Sequence, residues 1–231
     1  MMLNGVNSCG MRYVAQRLAL LLLFACLLLG SAGELYWRRG WAYLLVVFVL
    51  EIITLTSLAA LAPETLNQRG TFGSGVKPFD RIFAGLWLLL AVCTPAVAGL
   101  DAVRFRWSAL PSALFALGLV VLLLAWSFAT WAMVENRHFE LFVRIQDDRG
   151  HRVVTTGPYR FVRHPGYLGA ILGALATPLM LGSVWTFVPV ALLVLLFVVR
   201  THLEDQTLRR GLQGYEDYSK RTRFRLVPFV W

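Results

Sequence analysis

The sequence has 231 residues, of which 58% are hydrophobic and only 15% are charged, and its mean hydropathy is +0.63. This composition excludes an ordinary soluble domain. The net charge of +9 would suit either nucleic acid or an anionic membrane face, so the placement of the cations has to decide between them.

Six apolar runs follow one another along the chain, and each approaches the roughly 20 residues that a helix needs to cross a bilayer. They cover residues 14–32, 41–62, 82–100, 110–134, 166–182 and 185–199. The last two are short and almost contiguous, which predicts a tight helical hairpin. The expected fold is therefore an all-α integral membrane protein with about five to six transmembrane helices.

The first apolar run has two interpretations. Arg12 and Arg17 precede or begin it, and small residues follow at 30–33, which is also the pattern of a cleaved signal peptide. Because the rest of the chain is itself apolar enough to be embedded, a first spanning helix is the simpler interpretation.

The cations are distributed very unevenly between the two sides that these spans define. If the N-terminus is cytoplasmic, 18 of the 22 Lys and Arg residues fall on the cytoplasmic side, among them Lys77, and the outer loops hold only four. This asymmetry predicts that both termini are cytoplasmic. The charges flank membrane spans, so nucleic acid is not an expected partner.

Three polar segments interrupt the apolar sequence, at 63–81, 135–164 and 200–231, and all three fall on the same predicted side. A functional site is expected there. We expect one membrane domain over 1–231, with N-terminal spans in 1–134 and the functional core in 135–231. Within the spans, Glu51 could belong to a substrate path or proton relay, or could be a buried, paired packing residue.

Thiol and imidazole ligands are too scattered to indicate a metal. The cysteines lie at 9, 26 and 93 without a CxxC spacing, and the four histidines form no HxxxH or HExxH pattern. We therefore expect no metal, and the sequence disfavours both a histidine-box di-iron enzyme and a zinc peptidase.

The stretch "TTGPYRFVRHPGYLG" (155–169) combines a turn with a helix start. Gly157 and Pro158 are turn residues, and Pro165 suits the first position of a helix. The free N–H groups of such a helix start favour an anionic ligand group. An interfacial belt of Arg and Tyr at the membrane surface is the alternative interpretation.

A second polar stretch, "RTHLEDQTL" (200–208), begins where the last apolar run ends. Arg200 and Glu204 are four residues apart and would lie on one helix face, either as a surface ion pair or as two ligand-binding groups. The tail that follows, "GYEDYSKRTRFRLVPFVW", has the aromatic and cationic residues of an interfacial anchor or a lid.

Taken in order, "VRIQDDRGHRVVTTGPYRFVRHPGYLG", the hairpin, "EDQTL" and "GYEDYSKR" resemble the isoprenylcysteine carboxyl methyltransferase family and its phospholipid methyltransferase relatives, over about residues 135–231. The loop "PETLNQRGTFGSGVKPFDR" is similar to bacterial members. The resemblance implies a multi-pass enzyme with S-adenosylmethionine as cofactor, in a pocket on the cytoplasmic face, and a membrane-embedded or lipid-linked acceptor.

The same resemblance implies roles for individual residues. Arg200 and Glu204 would be the catalytic pair, with Arg200 holding the acceptor. Asp205 stands where the family usually has a second glutamate, and we expect it behind the ligand contacts. The residues matching cofactor-contacting positions are Gln146, His151, Arg152, Val153, Val154, Tyr159, His164, Pro165, Gly166, Tyr167 and Glu204.

Alternatives remain for both the acceptor and the activity. The acceptor could be a prenylcysteine carboxylate or a phospholipid amine. Sterol-type NADPH reductases carry a similar "RHPxY" stretch, but they usually have an acid directly after "YxG", where this sequence has Ala170. A non-enzymatic membrane protein or transporter is disfavoured because the polar motifs gather on one side.

Overall fold

The apolar runs form helices, as a chain inside a bilayer must satisfy its backbone hydrogen bonds internally. The structure is a computed structural model that describes residues 5–71, 78–140, 142–146 and 149–231. Within these ranges it contains no β-strand. The helices are α1 (Ser8–Ala32), α2 (Arg38–Leu61), α3 (Pro63–Arg69), α4 (Pro78–Gly99), α5 (Ser112–Glu135), α6 (Pro165–Leu181), α7 (Phe187–Gly211) and α8 (Tyr215–Arg221).

Five segments of the described chain are long and apolar enough to cross a membrane, namely Ser8–Ala32, Arg38–Leu61, Phe79–Arg104, Ser112–Glu135 and Phe187–Gly211. α6 is apolar but has only 17 residues, or about 26 Å at 1.5 Å per residue. The predicted all-α, multi-pass membrane architecture is confirmed. α6 and α7 form the predicted hairpin, with Gly182 in the left-handed region at the end of α6 (φ 80°).

The polar segments meet at one end of the helix bundle. The Asn67 side chain in α3 donates to the Gly5 carbonyl at 2.7 Å, and the backbone N–H of Arg163 donates to the Phe224 carbonyl at 2.9 Å. The opposite end has short connections, closed by Asp101, which accepts from Ser108 at 2.6 Å. Residues 72–77 of the first polar segment, including Lys77, lie outside the described residues, as do Asp147 and Asp148 in the second.

Small residues let α5 and α6 approach closely, as is common between membrane helices. A Cβ on Gly169 would lie 2.7 Å from both the Ala125 carbonyl oxygen and the Ala129 side chain. A Cβ on Gly118 would lie 2.9 Å from Leu179. Because α6 starts at the polar end of the bundle, this close packing fixes the position of the "RHPGY" motif.

α7 differs from the predicted span because the helix does not stop where the apolar run stops. It continues to Gly211, so Arg200 and Glu204 lie inside the helix and not at its end. Arg, Leu, Gln and Glu are good helix formers, and the buried charges in this part face other protein groups instead of lipid. A hydropathy scan registers only their charge.

Glu51 is a paired residue in the structure. It is 3% exposed, and its carboxylate accepts two hydrogen bonds from Arg17, Nε to Oε1 at 2.9 Å and Nη2 to Oε2 at 2.7 Å. Arg17 therefore lies within α1 instead of flanking it. The two-bond pairing agrees with the packing interpretation, because each charge compensates the other inside the bundle.

Candidate functional site

A cavity lies at the polar end of the bundle, between the segment 136–154, the start of α6, the C-terminal half of α7 and α8. The space in it, including its opening to solvent, amounts to about 780 Å³. All twelve residues assigned from the sequence line it: Gln146, His151, Arg152, Val153, Val154, Tyr159, His164, Pro165, Gly166, Tyr167, Arg200 and Glu204.

The start of α6 is packed tightly into one wall of this cavity. Pro165 occupies the first helical turn, where its missing N–H costs no hydrogen bond. A Cβ on Gly166 would lie 2.5 Å from the Phe139 ring, so a larger residue here would force that ring to move. The backbone N–H of His164 donates to the Arg225 carbonyl at 3.0 Å, which joins the C-terminal tail to the same wall.

Arg200 and Glu204 are joined through the Tyr167 hydroxyl. Arg200 Nε donates to this hydroxyl at 2.8 Å, and the hydroxyl donates a short hydrogen bond to Glu204 Oε2. Arg200 is 4% exposed, and its guanidinium lies 4.0 Å above the centre of the Phe83 ring. The two charged side chains therefore share one hydrogen-bond partner, the Tyr167 hydroxyl, in a largely dry site.

Asp80, near the start of α4, completes the surroundings of Arg200. Its Oδ1 lies 3.1 Å from Arg200 Nη1, and its Oδ2 accepts from the backbone N–H of Val143 at 2.6 Å. Sequence reasoning missed this residue. An aspartate soon after Pro78 is typical of the first turn of a helix, and no local pattern distinguishes that role from contact with α7.

Gln146 lines the cavity, but its amide is already engaged by the protein. Its Nε2 donates to the His138 carbonyl at 2.8 Å, while its Oε1 accepts from Arg149 at 2.8 Å and pairs with His138 Nδ1 at 3.2 Å. These bonds join His138, Gln146 and Arg149 to one another. The hydrogen bonds of Gln146 are those of a residue that supports the wall, and its predicted contact with the cofactor stays a prediction.

Two histidines lie beside Gln146, with their ring centres 4.5 Å apart. Burial lowers the pKa of His138. Burial, helped by the neighbouring His138 and arginine cations, lowers the pKa of His151 to about 4. The Nδ1 of His151 accepts from the Gln146 backbone N–H at 3.3 Å, which places its proton on Nε2. At neutral pH His151 is therefore an uncharged donor.

Asp205 lies behind the cavity wall and does not line it. It is completely buried, and three arginines and a tyrosine donate to it: Arg163 at 2.8 Å, Arg209 and Arg225 each at 3.1 Å, and Tyr215 at 2.9 Å. These bonds join α7 to α8 and to the C-terminal tail. An aspartate, which is shorter than glutamate, suits this position because the three arginines and the tyrosine all reach its carboxylate.

Sequence reasoning also missed several wall residues. The added lining residues are Asn136, His138, Phe139, Glu140, Phe142, Val143, Arg144, Arg163, Leu208, Leu212, Tyr215 and Tyr218. In α8, Tyr218 donates to the Tyr159 carbonyl at 2.7 Å. The spacing of Leu208 with Leu212, and of Tyr215 with Tyr218, could have indicated an inward face. The start of the tail, α8, is therefore a wall of the cavity.

Comparison with known proteins bears on the same part of the chain. Residues 116–210 match the model of the isoprenylcysteine carboxyl methyltransferase (ICMT) family. A probable protein-S-isoprenylcysteine O-methyltransferase of Oryza sativa is 30% identical over 116 residues, which cover 49% of this chain and 60% of the rice protein. Protein-S-isoprenylcysteine O-methyltransferase B of Arabidopsis thaliana is 30% identical over 103 residues, or 44% of this chain and 52% of the plant protein.

Two further comparisons widen this picture. A mouse Delta(14)-sterol reductase is 32% identical over 85 residues, which cover 36% of this chain and 20% of the reductase. The solved structure of the eukaryotic intramembrane Ras methyltransferase ICMT has a similar fold, with a TM-score of 0.56 and 21% identity over 94% of this chain and 77% of that one. The family resemblance and the membrane fold predicted from the sequence are confirmed, and the alignment spans about 60% of the rice relative.

Proposed function

We propose that this chain, whose residues 116–210 match the model of the isoprenylcysteine carboxyl methyltransferase family, is a membrane methyltransferase that uses S-adenosylmethionine and methylates a lipid-linked acceptor. One observation carries the proposal. The twelve residues assigned from the family motifs, which are scattered from 146 to 204, all line one cavity. That cavity lies where the polar end of the bundle meets the apolar helices.

The residues that line the cavity suit the different parts of S-adenosylmethionine. Val153, Val154, Leu208 and Leu212 provide apolar surface for a purine ring. The Glu204 carboxylate suits an ammonium group, and the uncharged Nε2–H of His151 suits a carboxylate. When bound, the cofactor supplies a methyl group on a positively charged sulfur. The protein's part is to orient the two reactants and to keep water away from them.

The surroundings of Arg200 favour a carboxylate acceptor over a phospholipid amine. A carboxylate is ionised at neutral pH and needs no base, and a guanidinium offers it a planar, two-pronged partner. An amine would have to lose a proton. Of the three histidines in the wall, His138 and His151 have lowered pKa values, with His151 at about 4, and these two are weak bases at neutral pH. An isoprenylcysteine carboxylate is therefore the acceptor that we propose.

The charge distribution supports an orientation for this site. With the polar end on the cytoplasmic side of a bacterial inner or plasma membrane, most of the 22 Lys and Arg residues lie on that side. A water-soluble cofactor would then reach the cavity from the cytoplasm, while a lipid tail stays in the bilayer. Residues 1–134 would supply spans and 135–231 most of the cofactor site, within one domain.

The proposal is tested with the full chain purified in detergent. Calorimetry should show micromolar binding of S-adenosylmethionine and of its demethylated product, S-adenosylhomocysteine. Labelled S-adenosylmethionine should transfer its methyl group to N-acetyl-S-farnesylcysteine, with fractionated membrane extract as a second source of acceptors. Binding of NADPH together with no response to S-adenosylmethionine would instead indicate a sterol-type reductase, the activity named for the mouse relative.

A further inference from the structure

Asp80 is a completely buried carboxylate that reaches two separate parts of the cavity wall. One oxygen lies 3.1 Å from Arg200 Nη1 on α7. The other accepts the backbone N–H of Val143 at 2.6 Å. Since Val143 and Arg200 both line the cavity, a residue of α4 that does not line it ties two of its walls together.

The Arg200 guanidinium is held from three directions. Tyr167 accepts from Nε at 2.8 Å, Asp80 lies beside Nη1 at 3.1 Å, and the Phe83 ring lies under the plane with its centre 4.0 Å from Cζ. An arginine side chain has many rotamers in solution and loses conformational entropy when it is fixed. Here that ordering is complete before any acceptor binds, which favours binding and reaction.

Charge compensation gives Asp80 a second effect. A guanidinium in a site this dry would be costly without a nearby negative group. Phe83 follows Asp80 by three residues on α4, so one helical turn supplies both the anion beside Arg200 and the ring beneath it. No other span delivers this pair of contacts among the described residues, and the turn is brought to α7 only by the tertiary fold.

We propose that Asp80 is the positioning residue of Arg200, and that it acts on the acceptor side of the reaction without touching the cofactor. The proposal rests on the proposed function for its kinetic consequence, while the structural link between Asp80, Arg200 and Val143 stands independently of it. Asp80 holds the guanidinium toward the acceptor and keeps the segment 142–146 closed beside it. The cofactor contacts on Glu204 and His151 lie on other parts of the wall.

The kinetic test replaces Asp80→Asn, which keeps the size of the side chain and removes its charge. Methyl transfer to N-acetyl-S-farnesylcysteine should fall at least about 10- to 100-fold, because the buried Arg200 guanidinium loses the negative charge beside it, and the loss should appear mainly in kcat/KM for the acceptor. The affinity for S-adenosylhomocysteine should stay within a few-fold. Asp101→Asn is the matched control, since Asp101 is equally buried and accepts from Ser108 and Ser183 at the opposite end of the bundle; it should leave both values within a few-fold.

A double-variant cycle separates positioning from general support of the fold. In an Arg200→Ala background, Asp80→Asn should cost less than about threefold, because the group that it positions is gone. If the rate losses of Asp80→Asn and Arg200→Ala multiply in the double variant, or if Asp80→Asn alone lowers cofactor affinity, the proposal is overturned.

Hydrogen exchange keeps the test independent of turnover. In the full chain in detergent, Asp80→Asn and Arg200→Ala should both speed exchange in peptides containing Val143, whereas Asp101→Asn should not. If the wild-type protein binds no S-adenosylhomocysteine, the proposed function is contradicted, but the exchange pattern still tests the link between Asp80, Arg200 and Val143. Unchanged exchange at Val143 in both variants would refute the link even in an active enzyme.

Discussion

Removing the hydroxyl of Tyr167 tests the connection between the two charged residues of the site. Tyr167→Phe keeps the ring, which lies 5.5 Å from Phe197, and deletes both the bond from Arg200 and the bond to Glu204. A hydrogen bond to a charged group contributes about 1.5–3 kcal/mol. Because Arg200 keeps its contact with Asp80, we expect a net loss of about 3 kcal/mol, or roughly a hundredfold in rate.

The assay measures methyl transfer to N-acetyl-S-farnesylcysteine and calorimetric affinity for S-adenosylhomocysteine on the same preparations. Both should fall in Tyr167→Phe, the affinity less than the rate, because one hydroxyl serves both sides of the site. Tyr43→Phe is the control, since Tyr43 is buried in the bundle and its hydroxyl pairs with Thr177 at 3.1 Å. Wild-type rate and affinity in Tyr167→Phe would refute the coupled arrangement of Arg200 and Glu204.

Three further outcomes are expected. Arg200→Ala should lower methyl transfer by about 30-fold to several-thousand-fold and leave cofactor affinity within a few-fold, and Arg200→Lys should restore little of the lost activity. Glu204→Ala should lower cofactor affinity first. Normal turnover in Arg200→Ala would show that this arginine is only a membrane anchor. Reporter fusions at the two termini should both report the cytoplasm, and an external signal at Trp231 would contradict the proposed orientation. Between pH 7 and 5 the melting temperature should fall, and less so in His151→Gln.

Much of the fold and of the cavity could be predicted because their signals are local. Apolar runs of sufficient length predict spans regardless of what they pack against. The motif "RHPGY" combines a helix start with a close backbone approach, and the structure shows Gly166 against Phe139 for that reason. The family resemblance then assigned residues from 146 to 204 to one site, which physical chemistry alone could not have done.

The remaining features depend on contacts between distant parts of the chain. Asp80 meets Arg200 only after α4 has packed on α7, and the sequence around Asp80 is that of an ordinary helix start. Gln146 reads as a ligand residue by position, yet its amide is taken up by His138 and Arg149. Likewise, a charged residue ends an apolar run in the sequence, whereas in the fold α7 continues because Arg200 has buried partners.

His151 provides the pH dependence, and its sign follows from which state binds more protons. Its pKa is about 4 in the folded chain and about 6.5 when unfolded. Between these values the unfolded chain binds more protons, so the stabilisation is complete above about pH 6.5 and is lost as the pH falls toward 4. Protonation also removes the acceptor that Nδ1 offers to the Gln146 backbone. Thermal unfolding in detergent between pH 7 and 5 measures the effect, and His151→Gln separates it from the carboxylates that titrate in both proteins. Identical pH dependence in the two proteins would show that His151 is not held neutral in the cavity wall.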